Sequence, residues 1–166
     1  KVLAALKEST RFTPTKLLRD MAARGELGVR SGKGFYEHRM EETAMGYETI
    51  VVSKNSETQV AMLTLNRPDR LNTITPQMIE EIDRALADLE RDDSIRVLVI
   101  TGAGEKAFSA GADVTSFGDV SKSHKVWALA KRTSQVFSRL ANFSKPTIAA
   151  INGYAFGGGC ELALAC

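Results

Sequence analysis

The sequence predicts an α/β protein with a largely buried sheet, and three observations carry that prediction. Residues 47–53 and 59–65 are β-rich and alternate apolar with polar side chains, the period of strands. Val97-Leu98-Val99-Ile100 is apolar throughout, which marks a strand covered on both faces. Two stretches between strand candidates repeat apolar residues at helical spacing. Together these give the order β-β-α-β-α-β-α.

The first two strands are joined by Lys54-Asn55-Ser56-Glu57-Thr58, a hairpin connection. Residues 66–72, Asn66 to Asn72, are loop. Thr75 caps the first helix, with Pro76 in a turn where its missing N–H is not needed. Met78, Ile79, Ile82, Ala85, Leu86 and Leu89 share one face of that helix, and Glu80 with Arg84 forms an i,i+4 pair opposite. A second amphipathic helix carries Val126, Leu129, Ala130, Val136, Phe137 and Leu140. The last strand begins at Thr147, and Gly157-Gly158-Gly159 then turns into a helix containing Leu162-Ala163-Leu164.

Residues 1–45 read as a separate, mainly helical unit. Thr13-Pro14 opens a helix through Met21-Ala22, and Gly25 and Gly28 end it. A turn and a short aromatic strand reach Phe35-Tyr36, and Glu37-His38-Arg39-Met40-Glu41-Glu42 is a linker. The α/β domain then occupies residues 46–166.

Composition excludes several classes. A length of 166 residues fits one domain or one and a fragment. A net charge of +2, with no basic tract interleaved with aromatics, gives no case for nucleic acid. No apolar run approaches the ~20 residues that span a bilayer, so no membrane insertion is expected. Cys160 and Cys166 form no disulfide framework and there is no signal peptide, which points to a reducing, cytoplasmic setting. Lys1 is not an initiator methionine, and the final helix stops at Cys166 without a terminating residue. The chain therefore reads as a piece of a longer polypeptide.

Several motifs lose to simpler readings. Gly102-Ala103-Gly104-Glu105-Lys106-Ala107 fits a dinucleotide fingerprint, but Phe108 to Asp113 continues as loop and no second strand precedes Asp119. Residues 28–33 are one residue short of a phosphate loop. Ser109 lacks the G-x-S-x-G frame of a nucleophile elbow. His38 and His124 have no metal-ligand spacing, and Cys160 reads as a small packing residue.

The glycine turn is different. Glycines opening a helix present free backbone N–H groups, and Glu161 lies one short step inside. Phe108-Ser109-Ala110-Gly111-Ala112-Asp113 lies past the carboxyl end of one buried strand, and the triple glycine lies past another. That is where α/β sheets bind ligands. Two small-residue loops there can each offer one N–H to a single carbonyl oxygen, an oxyanion hole without side chains.

Asn66-Arg67-Pro68, Leu71-Asn72, residues 107–113, Lys145-Pro146 and residues 152–161 together resemble the enoyl-CoA hydratase/isomerase (crotonase) superfamily, over roughly residues 47–166. The resemblance implies the N-terminal half of a repeated β-β-α spiral, and an acyl-CoA thioester whose carbonyl is held by the N–H groups of Ala112 and Gly158. It implies that Arg70, Leu71 and the stretch Ala110, Gly111 and Asp113 line the CoA path, with Gly157 beside the donor. Glu161 takes the place of the first of two family glutamates that hold a water and deliver its hydroxyl and proton across a double bond. The second would lie beyond Cys166. Retention of Glu161 favours hydratase over isomerase chemistry. Thr115 departs from a lysine that many relatives place near the CoA phosphates. Relatives are commonly trimers or paired trimers, so a homo-oligomer is implied.

Residues 27–36, Leu27 to Tyr36, resemble the C-terminal end of 3-hydroxyacyl-CoA dehydrogenases. This implies a fusion in which the two domains catalyse consecutive β-oxidation steps, with any NAD site upstream of Lys1 and no cofactor in this chain. Two rival readings remain: isomerase or another enolate chemistry in the superfamily, and an inactive structural fragment.

Overall fold

The computed structural model describes residues 20, 23–24, 41–42, 46–117 and 123–166, with side chains left out at 41–42, 116–117 and 123–125. The chain divides into two compact units, residues 1–40 and 41–166. In the first, the Arg24 N–H donates to Asp20 O at 3.1 Å, one turn of helix. The remaining elements read within residues 1–40, with His38, and Asp119 lie outside the described residues.

The second unit holds seven strands and three α-helices among the described residues: β1 (Glu41–Glu42), β2 (Ile50–Asn55), β3 (Val60–Leu65), α1 (Pro76–Glu90), β4 (Val97–Gly102), β5 (Ala107–Ser109), α2 (Ser123–Ala141), β6 (Thr147–Ala150), β7 (Tyr154–Ala155) and α3 (Gly158–Leu164). Five strands form one sheet in the order β1-β2-β3-β4-β6. Pairing is antiparallel from β1 to β3 and parallel from β3 through β4 to β6. Glu41–Glu42, read from sequence as the end of a linker, instead pair with Lys54 and Ser53 at the sheet edge. Charged residues suit an edge, where they discourage further pairing.

The β2–β3 register matches Asn55 with Val60, so the turn spans residues 56–59 rather than 54–58. Asn55 Oδ1 accepts from Thr58 N at 2.7 Å, an Asn side chain standing in for a backbone turn partner.

Helix α1 forms as its sequence predicts. Thr75 Oγ1 accepts from Met78 N at 3.1 Å, and all six apolar residues of the predicted face are buried. Glu80 and Arg84 make no direct salt bridge, although the Arg132 hydrogen bond and, to a smaller degree, the Arg84 charge lower the Glu80 pKa. Glu80 instead accepts two hydrogen bonds from Arg132 of α2, each 2.8 Å, and Arg84 lies over the Tyr47 ring.

Among the described residues one face of the sheet is largely buried and the other only in part. Ile50, Val52, Leu63, Leu65, Leu98 and Ile100 join one core cluster with residues of α1 and α2. The alternating side chains, including Val97 and Val99, are half-buried, and Ile148 is 52% exposed. An apolar run such as 97–100 reports strand character correctly, but periodicity cannot say what covers each face.

Candidate active site

The two loops flagged in the sequence are brought together by a second, two-stranded sheet. Strands β5 and β7 pair in parallel, Ala107 with Tyr154 and Ser109 with Ala155. Parallel strands leave the sheet in the same direction, so loops 110–113 and 156–158 emerge side by side. Close approach then requires glycine. Gly111 adopts φ +92°, and a Cβ there would lie 2.7 Å from Phe156 O and 3.4 Å from Gly158 N.

Buried polar side chains hold this arrangement. Ser109 Oγ donates to Asn72 O at 2.8 Å and accepts from Gly111 N at 3.2 Å, while Ser109 O accepts from Phe156 N at 3.0 Å. Asn72, fully buried in a left-handed conformation, donates through Nδ2 to Ala103 O and Ala107 O.

The backbone around Ala112 is directional. Ile74 N donates to Gly111 O at 2.8 Å, and Ile74 O accepts from Asp113 N at 2.9 Å. In such a parallel bridge Ile74 makes both bonds, so the N–H and C=O of Ala112 point to the opposite side. A cleft of about 590 Å³ lies against that residue, lined by Ala112, Gly158 and Glu161 together. A Cβ on Gly158 would sit 3.9 Å from Ala112 N, so the two loops approach each other closely beside the cleft. Among the described residues neither N–H has a protein hydrogen-bond partner.

Glu161 stands three positions after Gly158, hence on the same helix face. Its carboxylate is exposed in the cleft and has no protein partner among the described residues. The arrangement can hold a carbonyl oxygen between two backbone donors and place a carboxylate within a helical turn of it.

The other expected residues fall elsewhere. Arg70 and Leu71 are exposed on a 3-10 turn, Pro68–Arg70, and its left-handed end, with Leu71 O accepting from Ala110 N at 2.9 Å. Neither these residues nor Gly111, Gly157 and Asp113 line the cleft. Asp113 points inward. Its carboxylate accepts from Thr115 Oγ1 at 2.5 Å, Arg67 Nη1 at 2.9 Å and Thr73 Oγ1 at 3.3 Å. The Thr115 hydrogen bond and then Arg67 hold its pKa at about 2. Thr115, itself exposed, is thus a hydrogen-bond partner of Asp113.

The far wall of the cleft was missed in the sequence. Val126, Leu129 and Ala130 of α2 read there only as part of an amphipathic helix, and in the structure they line the cleft with Phe137 and Leu164. Their helical spacing reported an apolar face without reporting its partner. No group of three or more His, Cys, Asp or Glu side chains able to hold a metal occurs among the described residues. Burial pushes the Cys166 thiol up to about 11, which keeps it protonated, and no described helix is long and apolar enough to cross a membrane.

Residues 55–166 match the enoyl-CoA hydratase/isomerase family. A short-chain-enoyl-CoA hydratase of Clostridium acetobutylicum is 38% identical over 124 residues, covering 74% of this chain and 46% of that protein. The mitochondrial enoyl-CoA hydratase of Pongo abelii is 39% identical over 121 residues, covering 72% of this chain and 40% of that protein. Among solved structures, enoyl-CoA hydratase from Bacillus anthracis superposes with a TM-score of 0.67 at 35% identity, covering 72% of this chain and 45% of the other. The chain belongs to the enoyl-CoA hydratase/isomerase family, and its fold is the crotonase α/β arrangement. It spans less than half the length of these relatives.

Proposed function

We propose that the full-length protein is an enoyl-CoA hydratase that adds water to 2-enoyl-CoA thioesters. The observation that carries this is the convergence of Ala112, Gly158 and Glu161 on one cleft. The thioester carbonyl oxygen accepts from the N–H groups of Ala112 and Gly158, whose fixed orientation stabilises the enolate that develops as the β-carbon is attacked. Glu161 orients a water and takes its proton as the oxygen bonds to the β-carbon. A proton returned to the α-carbon completes the addition, and the second glutamate beyond Cys166 shares that duty. The apolar α2 wall faces the acyl tail, while Arg70 and Leu71 at the exposed turn, with Ala110, take the CoA side.

The same reading includes a 3-hydroxyacyl-CoA dehydrogenase fused upstream, supported by residues 27–36, so that the hydroxyacyl product passes to an NAD-dependent step of β-oxidation in the cytoplasm. The 166-residue chain alone lacks the second glutamate and is inactive. Exposed Ile148, Ile151, Tyr154 and Phe156 are apolar surface that a homo-oligomer would cover.

The test is Glu161→Gln in the full-length protein, followed by crotonyl-CoA hydration. Loss of a general acid–base group lowers turnover by ~10²–10⁴-fold. Near-normal turnover overturns the assignment.

A further inference from the structure

The direction of the Ala112 N–H depends on a segment that has no regular secondary structure. Ala112 is fixed to Ile74 by the two bonds of the bridge, but Ile74 itself sits in the connection between the 3-10 turn and α1. One side chain spans both sides of that bridge. Arg67 Nη1 donates to Thr73 O at 2.8 Å and to Thr73 Oγ1 at 3.0 Å, on the residue before Ile74. The same nitrogen donates to Asp113 Oδ2 at 2.9 Å, on the residue after Ala112.

We infer that Arg67 and Asp113 are positioning residues for the Ala112 oxyanion donor, acting through the backbone without touching the substrate. This rests on the hydratase reading. Both side chains are largely covered, 22% exposed for Arg67 and 10% for Asp113, and neither lines the cleft. A charge-assisted hydrogen bond in partial burial is stronger than its surface counterpart, and removing one member takes away a charged partner of the other. The pair therefore sets where residues 112 and 113 lie relative to residues 73 and 74. An oxyanion donor is effective only when aimed at the position the oxygen will occupy, so a sub-ångström shift reaches the rate before it reaches binding.

The experiment uses the full-length protein with Arg67→Ala, Arg67→Lys, Asp113→Asn and the double variant Arg67→Ala/Asp113→Asn. Crotonyl-CoA hydration is read as kcat and KM. Infrared spectroscopy follows a carbon-13-labelled carbonyl in bound butanoyl-CoA, a saturated thioester with no double bond to hydrate. In the wild type, two donors on the oxygen move the band below its position in solution. In Arg67→Ala and Asp113→Asn the band returns toward the solution position, and kcat falls ~10–100-fold while KM stays within ~3-fold.

The double variant loses no more than the worse single one, because the two residues act as a unit. Arg67→Lys recovers part of both signals, since an ammonium carries three N–H donors on one nitrogen where Nη1 shares two among its three acceptors. Should Arg67→Ala not fold, the milder Asp113→Asn carries the same test. Variants that melt earlier but keep the wild-type band and kcat overturn the positioning role and leave the hydratase reading standing. A wild type that binds butanoyl-CoA without moving the band overturns the hydratase reading and this role with it.

Discussion

Neighbouring glycines at the start of α3 respond oppositely to one added methyl group. At Gly158 a Cβ meets Ile74 Cδ1 at 3.5 Å and Ala112 N at 3.9 Å, both ordinary contacts, and its φ is not positive. Gly158→Ala therefore fits, and reduced freedom in the unfolded chain stabilises the fold by about 0.4–1 kcal/mol. The methyl nevertheless projects toward the space beside both donors. A methyl carbon 3.9 Å from Ala112 N stands where it can crowd a carbonyl oxygen hydrogen-bonded about 2.9 Å from the same atom. Displacing the oxygen forfeits at least one donor, which costs ~10²–10³-fold in rate.

Gly159 has no such freedom. Its Cβ would lie 2.3 Å from Ser109 O and 2.8 Å from Ser109 Cβ, so two backbones must part. Overpacking of this kind costs about 1–3 kcal/mol. Urea unfolding and crotonyl-CoA hydration of the two full-length variants separate the effects. Gly158→Ala should be at least as stable as wild type and nearly inactive, and Gly159→Ala should be less stable and inactive. Turnover within ~3-fold of wild type in Gly158→Ala would refute the location of the oxyanion hole. Unchanged stability in Gly159→Ala would refute the close packing of the two loops.

Two further outcomes follow from the charges. Asp113 and Asp92 are both held at about 2, the first by Thr115 and Arg67, the second by Lys54 and Ser94. These folded values lie below the ordinary 3.8, so the stabilisation is present above about pH 4 and is lost as pH falls toward about 2, with Asp113 alone contributing on the order of 2 kcal/mol. Equal urea midpoints at about pH 7 and about pH 3 would contradict this. Arg132→Ala removes the bridge to Glu80 and Asp83 at a half-exposed surface, so it should cost no more than about 1 kcal/mol, and the loss should shrink in about 1 M salt. A larger, salt-independent loss would show that Arg132 acts through packing instead.

Helix α1 was legible because cap, proline and six apolar positions all report within one local stretch. Strands β5 and β7 were not, because three residues and two residues show no period, and what places them is remote. Asn72 holds Ala107 from 35 positions away. The motifs located Ala112, Gly158 and Glu161, which do meet in one cleft. Asp113 reads in sequence as one more residue of the substrate path, and only folding reveals its inward turn toward Arg67, 46 positions away. Arg70 and Leu71 lie apart from the cleft for the opposite reason: proximity in sequence to Asn72 does not carry them past the turn that ends in a left-handed Leu71.

The same limit explains why the sequence did not show what half of α2 faces, and it bears on how the cleft is built. Val136, Phe137 and Leu140 are buried in the core, whereas Val126, Leu129 and Ala130, on the same helical repeat, are half-buried or exposed at the cleft. Between the two groups sits Arg132, tied with Arg139 to Glu80 and Asp83 of α1. An amphipathic helix normally ends its apolar stripe where its partner ends. Here the stripe continues beyond the ionic junction with α1. The apolar side chains past that point lie beyond the ionic junction with α1 and face Ile74, Ala112 and α3 residues such as Gly158 across open space. The driving force that would close that space is the one available to an apolar acyl chain entering it. The core and the cleft wall are thus one continuous pattern in the sequence, divided by where α1 stops supporting α2.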